Sequence, residues 1–180
     1  MDKTLSHRWF GRSKLAAVES TRVLAERGVA DAQFSLGLNF ANGVGVAQDF
    51  AQAAMWYLKA AEQSHPLAQF NLGRMYALGQ GLPCDAAKSL MWIQKAANLG
   101  DAGAQFNLGQ AHQRASLHGP ATETSAERIM AYKWFRLAAN QGYAGSEAAC
   151  EIMNLKMSRE DWMEGGRSVA AFNAARVLTA

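Results

Sequence analysis

Histidine and cysteine are the residues of this chain that could bind a metal or attack a carbonyl group, and their spacing supports neither role. His112 and His118 are six positions apart, so they do not share one face of a helix, and no carboxylate pair completes a coordination shell. Cys84 and Cys150 are separated by 66 positions and form no paired-ligand motif. We therefore predict neither a metal site nor a disulfide framework, and interpret both cysteines as small apolar residues.

Sequence signatures of other active sites are also missing. The chain has no Gly-x-Ser-x-Gly elbow, no Walker loop and no dinucleotide-binding fingerprint. Gly79 and Gly81 form a Gly-x-Gly pair, but it follows a helical pattern rather than a strand, which predicts a turn. We expect no enzymatic activity and no cofactor. The alternative is a hydrolase of cell-wall or peptide amide bonds, with Cys84 as its nucleophile near a helix N-terminus.

The positive charge of the chain is concentrated at its N-terminus. Net charge is +3, and residues 1–27 contain six basic and three acidic residues, so the remainder is neutral. We therefore expect no nucleic-acid or membrane binding by the repeat body. Residues 6–14 (SHRWFGRSK) combine basic and aromatic side chains, which leaves membrane or nucleic-acid contact as an alternative to a solvated tail. The lack of a long apolar run favours a cytoplasmic location.

A repeat of 36 residues organises the rest of the sequence. Trp56 and Trp92 obey this spacing, whereas Trp134 follows after 42 residues, so the third copy contains a six-residue insertion near 115–124. Each copy also contains the tripeptide Ala-Gln-Phe followed by Leu-Gly. The tripeptides lie at 32–34, 68–70 and 104–106, and the Leu-Gly pairs at 36–37, 72–73 and 108–109.

Each copy predicts two antiparallel helices joined by a short turn. Ala68, Leu72 and Tyr76 recur every four residues and form the apolar stripe of a first helix. Gly79 then ends that helix, because glycine accepts the left-handed conformation of a helix C-terminus. A carboxylate opens the second helix at its positive end. These carboxylates are Asp49, Asp85 and Glu127.

Glycine within the first helices has a predicted packing role. Gly37, Gly73 and Gly109 follow the core leucines, although a glycine inside a helix costs about 1 kcal/mol relative to alanine. We interpret them as positions where the partner helix approaches closely, with the tryptophans filling the wider spaces.

The combined pattern A-x-F-x-L-G-x-x-[YF]-x-x-G-x-G, followed by Asp and W-x-x-x-A-A, resembles the Sel1-like repeat, a relative of the tetratricopeptide repeat. The resemblance covers about residues 29–142, and the third copy departs from it at His112, at the missing Gly-x-Gly turn and at the insertion. It implies an all-α fold, a right-handed α-solenoid of antiparallel helical hairpins with about eight helices. It also implies a non-enzymatic interaction module, an adaptor or regulator that binds a peptide or partner helix on its concave face.

The resemblance places several variable positions of the first helices on that concave face. Ser35, Asn71 and Asn107 are in register, and asparagine is a poor helix former that needs a role. The asparagine amides either contact a bound peptide or form hydrogen bonds within the solenoid, and both readings stay open. The phenylalanines could form an apolar floor. The predicted partner-binding residues are Phe34, Ser35, Leu38, Phe70, Asn71, Arg74, Phe106, Asn107 and Gln110.

The flanks of the repeats read as capping elements. Residues 144–156 predict a first-type helix with Cys150 at the leucine position, and Ser158 resembles the start of a capping box that opens the last helix. Residues 115–124 are expected to form a mobile loop, because Pro120 prevents either neighbouring helix from continuing through it. The predicted organisation is a basic segment with a capping helix at 1–27, repeats at 28–64, 65–100 and 101–142, and a half-repeat with a capping helix at 143–180.

Overall fold

The fold was obtained as a computed structural model that describes residues 16–118 and 121–178, with the side chains of 121–123 left undescribed. That part of the chain contains nine helices and no strand, so the predicted all-α fold is confirmed. The helices are α1 (16–26), α2 (Ala30–Asn42), α3 (Phe50–Glu62), α4 (Pro66–Leu78), α5 (Ala86–Asn98), α6 (Ala102–Ala115), α7 (Ala121–Ala139), α8 (Ser146–Asn154) and α9 (Arg159–Val177).

The chain divides into two compact units, with the division between Ala96 and Ala97. The first unit contains α1 to α4 and most of α5. One of its core clusters includes Tyr57 of α3 and Leu72 of α4, and another joins Leu36 and Trp56 to Val18 of α1. Helix α1 buries Val18 against the first repeat, and its role as a capping helix stays a prediction. Residues 1–15, which include most of the predicted basic segment, lie outside the described residues.

The second unit contains α6 to α9. Its core packs Tyr132 and Phe135 of α7 against Cys150 and Met153 of α8. Cys150 is fully buried, as predicted for its leucine-like position, and burial raises the pKa of its thiol to about 11. Cys84 differs from the prediction, because its side chain is exposed rather than part of a core.

The glutamine of each Ala-Gln-Phe tripeptide connects consecutive helices, a role that the sequence pattern had not indicated. The last carbonyl groups of a helix lack partners within that helix. In each copy the buried glutamine Nε2 donates to such a carbonyl of the preceding helix. The bonds run from Gln33 to Ala25 O (3.1 Å), from Gln69 to Ala61 O (3.0 Å) and from Gln105 to Ala97 O (3.2 Å).

The glycines inside the first helices allow the close approach that was predicted. A Cβ atom on Gly37 would lie 2.6 Å from the nearest side-chain atom of the partner helix, on Gly73 2.7 Å, and on Gly109 2.5 Å. The tryptophans are buried in the core, but the side chain over each glycine is the residue that follows the tryptophan. These side chains are Tyr57, Ile93 (at its Cγ1) and Phe135.

Several helix ends also follow the prediction. Gly43 and Gly79 close α2 and α4 in the left-handed region, with φ of 68° and 65°. Asp49 accepts the backbone N–H of Gln52 at 3.0 Å, and Asp85 opens α5 in the same way. At α9, Ser158 Oγ accepts the N–H of Asp161 at 3.1 Å, and the helix continues through Gly165 and Gly166.

The insertion of the third copy lengthens a helix, so the expected loop is wrong for residues 121–124. Helix α7 has 19 residues, whereas α3 and α5 each have 13, and the difference equals the six inserted residues. Glu127 therefore lies within α7 instead of capping it. Its Oε2 contacts Nδ1 of His112 on α6 at 2.6 Å. Pro120, which was expected to stop both helices, lies outside the described residues.

A second contact fixes the extended start of α7 in the second unit. The hydroxyl of Ser125 donates to Oδ1 of Asp161, in the first turn of α9, at 2.5 Å. Tertiary contacts with α6 and α9 thus stabilise the added turns, which outweighs the loop tendency of the local sequence.

Candidate functional site

A cavity of about 280 Å³ opens in the first unit between α2, α3 and α4. Both apolar and polar residues line it, which is the usual composition of a recognition site. The apolar lining residues are Leu38, Ala41, Phe50 and Met75. The polar lining residues are Asn42, Tyr57, Asn71, Arg74 and Gln80.

Helical spacing and one turn bring these residues together. Leu38 and Asn42 are one turn apart on α2, so both face the cavity. Gln80 lies in the Gly-x-Gly turn that ends the first helix of the second repeat. The next residue, Gly81, has φ of 69° and packs directly on the backbone of Phe50, where no side chain would fit. The glycine therefore places Gln80 at the edge of the cavity.

Arg74 is the basic residue of the cavity wall and is exposed. Its guanidinium carbon lies 5.9 Å from the ring centroid of Phe70, a cation–π distance. It makes no ion pair with any carboxylate in the described ranges 16–118 and 121–178. None of the described residues that line the cavity is acidic. The cavity wall therefore carries an uncompensated positive charge.

Tyr57 of α3 also lines the cavity. Its side chain is buried, and burial raises the pKa of the phenol to about 12, although the nearby charge of Arg74 acts in the opposite direction. The phenol is therefore neutral at physiological pH and can donate a hydrogen bond as well as accept one.

The two asparagines in register behave differently. Asn107 Nδ2 donates to the carbonyl of Gly103, four residues earlier on α6, at 3.1 Å. That bond supports its own helix, which is the structural reading of the asparagine pattern. Asn71 lines the cavity instead, and within the described part of the chain its amide has no hydrogen-bond partner. Its donors and acceptor stay available to a bound molecule.

Of the nine predicted partner-binding residues, the cavity brings together Leu38, Asn71 and Arg74. The rings of Phe34 and Phe106 pack between helices instead of lining it, whereas the ring of Phe70 contacts Arg74 on its own helix. Phe34 stacks on His65 with ring centroids 4.6 Å apart, and Phe106 lies 5.4 Å from Phe135. Ser35 and Gln110 are exposed. Cavity residues that the sequence reasoning missed are Ala41, Asn42, Phe50, Tyr57, Met75 and Gln80.

Reactive groups elsewhere in the described residues have structural partners. The thiol of Cys84 contacts the carbonyl of Ala77 at 3.5 Å. His65 caps α4, because its Nδ1 accepts the N–H of Ala68 at 3.2 Å and its Nε2 lies 3.3 Å from Asp31. No group of three or more His, Cys, Asp or Glu residues in the described ranges is arranged to hold a metal ion. Across those same ranges, no helix has both the length and the apolar character needed to cross a membrane.

Comparison with known proteins identifies the repeats. The sequence model of the Sel1 repeat matches residues 30–65, 66–101 and 102–143, which together exceed half of the chain. The chain belongs to the Sel1 repeat family. The resemblance found in the sequence is thereby confirmed, and the all-α architecture is that of a Sel1 repeat solenoid. Among curated proteins there is no significant match.

Solved structures agree with this assignment. A Sel1 repeat protein from Oxalobacter formigenes is 31% identical with a TM-score of 0.71, and the match covers 88% of this chain and 45% of that one. The antigen c5321 of uropathogenic Escherichia coli, which displays an SLR fold, is 23% identical with a TM-score of 0.53, covering 87% and 40%. The similarity to c5321, at 23% identity, is evidence for a shared fold and not for a shared function. This chain spans less than half the length of either protein.

Sel1 repeat proteins are generally protein–protein interaction modules, and their fold is typically a non-catalytic scaffold. Membership of the family assigns the fold and the type of repeat to this chain. The partner and the binding face do not follow from it.

Proposed function

We propose that this Sel1 repeat protein is a non-enzymatic adaptor or regulator that binds a peptide or partner helix on the face of its first helices. The cavity between α2, α3 and α4 is the central subsite of this proposal. The observation that carries it is that two polar groups lining the cavity, the amide of Asn71 and the guanidinium of Arg74, form no hydrogen bond or ion pair with any described residue.

The volume of the cavity favours a peptide over a small free ligand. Pockets for drug-sized ligands have volumes of roughly 300–1,000 Å³, and this cavity, at about 280 Å³, lies just below that range. It admits one or two side chains of a longer segment. The rest of the affinity must then come from neighbouring surface, for which Phe34, Ser35 and Phe70 of the first unit are predicted contacts. Phe106, Asn107 and Gln110 of the second unit stay predictions of the same kind.

A selection from a random dodecapeptide phage library tests this proposal. Peptides selected on the wild-type chain are synthesised with a fluorophore, and their affinities are measured by fluorescence polarisation. We expect the double variant Asn71→Ala/Arg74→Ala to bind them about tenfold or more weakly, because it removes two hydrogen-bonding partners, one of them charged.

The matched control is Gln52→Ala/Arg27→Ala, which also removes one amide and one arginine. Both residues are exposed and neither lines the cavity. We expect the control to bind within about twofold of wild type, as is usual for residues outside a binding site. If the selected peptides bound the cavity variant as tightly as the wild type, the proposed face would be wrong.

A further inference from the structure

The charge of the cavity indicates which kind of peptide it selects. Two described cations of the first unit are paired with carboxylates, whereas Arg74, like Lys59 and Lys95, contacts an aromatic ring. Lys88 contacts Asp85 at 3.2 Å, and Arg22 contacts Glu19 at 3.7 Å. No described carboxylate pairs with Arg74, and none lies on the cavity wall.

The surroundings of Arg74 suit a carboxylate. A guanidinium offers parallel N–H donors in a planar fork that matches the two oxygens of a carboxylate. Asn71 lies about one turn before Arg74 on α4, and Asn42 lines the same cavity, so two amide groups add further hydrogen-bond donors. Tyr57 can donate as well, because its phenol is neutral. The polar lining residues thus offer several hydrogen-bond donors, and none of the described lining residues is an anion.

Apolar residues line the same cavity. Leu38, Ala41, Phe50 and Met75 form a surface that an aliphatic side chain could cover. A bound segment would therefore place an apolar side chain and a carboxylate close together.

Repeat register shows that this charge is local to one repeat. The positions equivalent to Arg74 are Leu38 in the first copy and Gln110 in the third, and neither is charged. In the third copy, Asn107 occupies the position of Asn71, and its amide donates a hydrogen bond to a carbonyl of its own helix.

We propose that the cavity between α2, α3 and α4 selects a peptide segment that presents a carboxylate next to an aliphatic side chain, with Arg74 and Asn71 binding the carboxylate. The proposal rests on the proposed function and narrows it to an anionic ligand class. The carboxylate belongs either to an Asp or Glu side chain or to a chain terminus, since both have the same chemistry.

Short synthetic peptides test the proposal on the full chain. The side-chain source is probed with acetyl-Leu-Glu-amide against its neutral isostere acetyl-Leu-Gln-amide. The terminal source is probed with acetyl-Ala-Leu carrying a free carboxylate against acetyl-Ala-Leu-amide. Affinities are obtained by NMR titration of the Asn71 side-chain NH₂ signals. We expect at least one acidic probe to bind about three- to fivefold more tightly than its neutral partner, the range for an exposed ion pair.

Two arginine variants test whether Arg74 causes the preference for the acidic probe. Arg74→Gln should abolish the difference between acidic and neutral probes, whereas Arg27→Gln, which removes an exposed arginine outside the cavity, should preserve it. Circular dichroism confirms that both variants are folded. A preference in only one probe pair supports the proposal and identifies the source of the carboxylate.

Three results would overturn the proposal. Equal binding of acidic and neutral probes at Asn71 would show that the cavity binds peptides without selecting an anion, so the proposed function would survive and this inference would fail. A preference that persists in Arg74→Gln, or no shift of the Asn71 signals with any probe, would also refute it. The phage-selected peptides then decide independently whether the face binds peptides.

Discussion

The ring of Tyr57 occupies the space that a side chain on Gly37 would need, since a Cβ atom there would lie 2.6 Å from the ring. The same tyrosine lines the cavity between α2, α3 and α4. Core packing between the two helices of the first repeat therefore fixes one wall of the proposed binding site. A change at Gly37 should affect both stability and binding.

We expect Gly37→Ala to lower the free energy of unfolding by about 1–3 kcal/mol, because the added methyl forces Tyr57 or the helix backbone to move. The better helix propensity of alanine offsets up to about 1 kcal/mol of this loss. Urea denaturation followed by circular dichroism measures the change. Gly166→Ala is the control, since Gly166 lies in α9 with no atom within 4 Å of the added Cβ. That variant should be as stable as the wild type or slightly more stable, and an equal loss in both would contradict the packing role of Gly37.

A second prediction concerns the hydrogen bonds that Gln63 makes to the buried side chain of Gln33 and to the neighbouring backbone of the first repeat. Gln63 Nε2 donates to Oε1 of Gln33 at 2.7 Å and to the carbonyl of Gly28 at 2.9 Å. Replacing Gln63 with leucine leaves a buried acceptor without a partner, which costs about 1–3 kcal/mol. Urea denaturation should show this loss for Gln63→Leu and little change for Gln52→Leu, at an exposed position of α3. Similar stability of the two variants would show that the bond contributes little.

The second repeat naturally lacks a hydrogen bond of this kind between two glutamine side chains. Oε1 of Gln69 is buried and has no hydrogen-bond partner among the described residues. In the sequence register Leu99 replaces the glutamine that is Gln63 in the first copy and Gln141 in the third. The third copy repeats the bond, since Gln141 Nε2 donates to Oε1 of Gln105 at 2.9 Å.

A third prediction is a pH effect at the start of α9. The hydrogen bond from Ser125, with smaller contributions that include Ser158, lowers the pKa of Asp161. A carboxyl group whose pKa is lower in the folded state stabilises the fold above its unfolded pKa, and this stabilisation is lost as pH falls through the folded pKa. We therefore expect Ser125→Ala to reduce the melting temperature at pH 7 and to approach the wild type in strongly acidic solution. A difference that did not depend on pH would contradict this account.

The contribution of Asp101 to stability should depend on pH in the opposite direction to that of Asp161. Its pKa is raised by burial, which outweighs the backbone hydrogen bonds from Ala104 and Gly103. Folding therefore favours the protonated form, so the contribution of Asp101 to stability is greatest at low pH and decreases as pH rises through the folded pKa. The substitution Asp101→Asn would keep the cap without the buried charge, because asparagine caps helices as well as aspartate does.

We expect Asp101→Asn to be at least as stable as the wild type at pH 7, and Asp101→Ala to lose about 1 kcal/mol with the cap. Thermal melts of the three proteins between pH 4 and pH 8 measure both effects. The advantage of the asparagine variant should shrink as pH falls. A constant difference between asparagine and aspartate across that range would rule out the burial of charge as its cause.

Sequence periodicity predicted the hairpins because the same apolar spacing recurs in each copy, and the glycine turns and acidic caps recur in the first two. The insertion was harder to predict, since local composition and Pro120 favour a loop, while the contacts of Ser125 with Asp161 and of Glu127 with His112 come from distant residues. Local propensity is a weak guide where tertiary contacts decide between helix and loop.

Local sequence is an equally weak guide to which residues line the binding site. Asn71 and Asn107 both lie in the local sequence Gln-Phe-Asn-Leu-Gly, so nothing in that sequence distinguishes them. One amide turns back to a carbonyl of its own helix and the other faces a cavity. Only the three-dimensional arrangement separates these roles. Cavity residues such as Phe50 and Gln80 were missed because the sequence register does not show that a turn packs on the start of another helix.

The contact between Gly81 and the backbone of Phe50 has an evolutionary consequence. It joins the turn of the second repeat to the second helix of the first repeat, so the cavity belongs to the junction between two repeats and to neither repeat alone. Duplication or loss of one repeat by genetic recombination would therefore create or erase a complete junction in a single event. Selection for new partners in such a chain would act on pairs of adjacent repeats, and the residues on the two sides of a junction should change together.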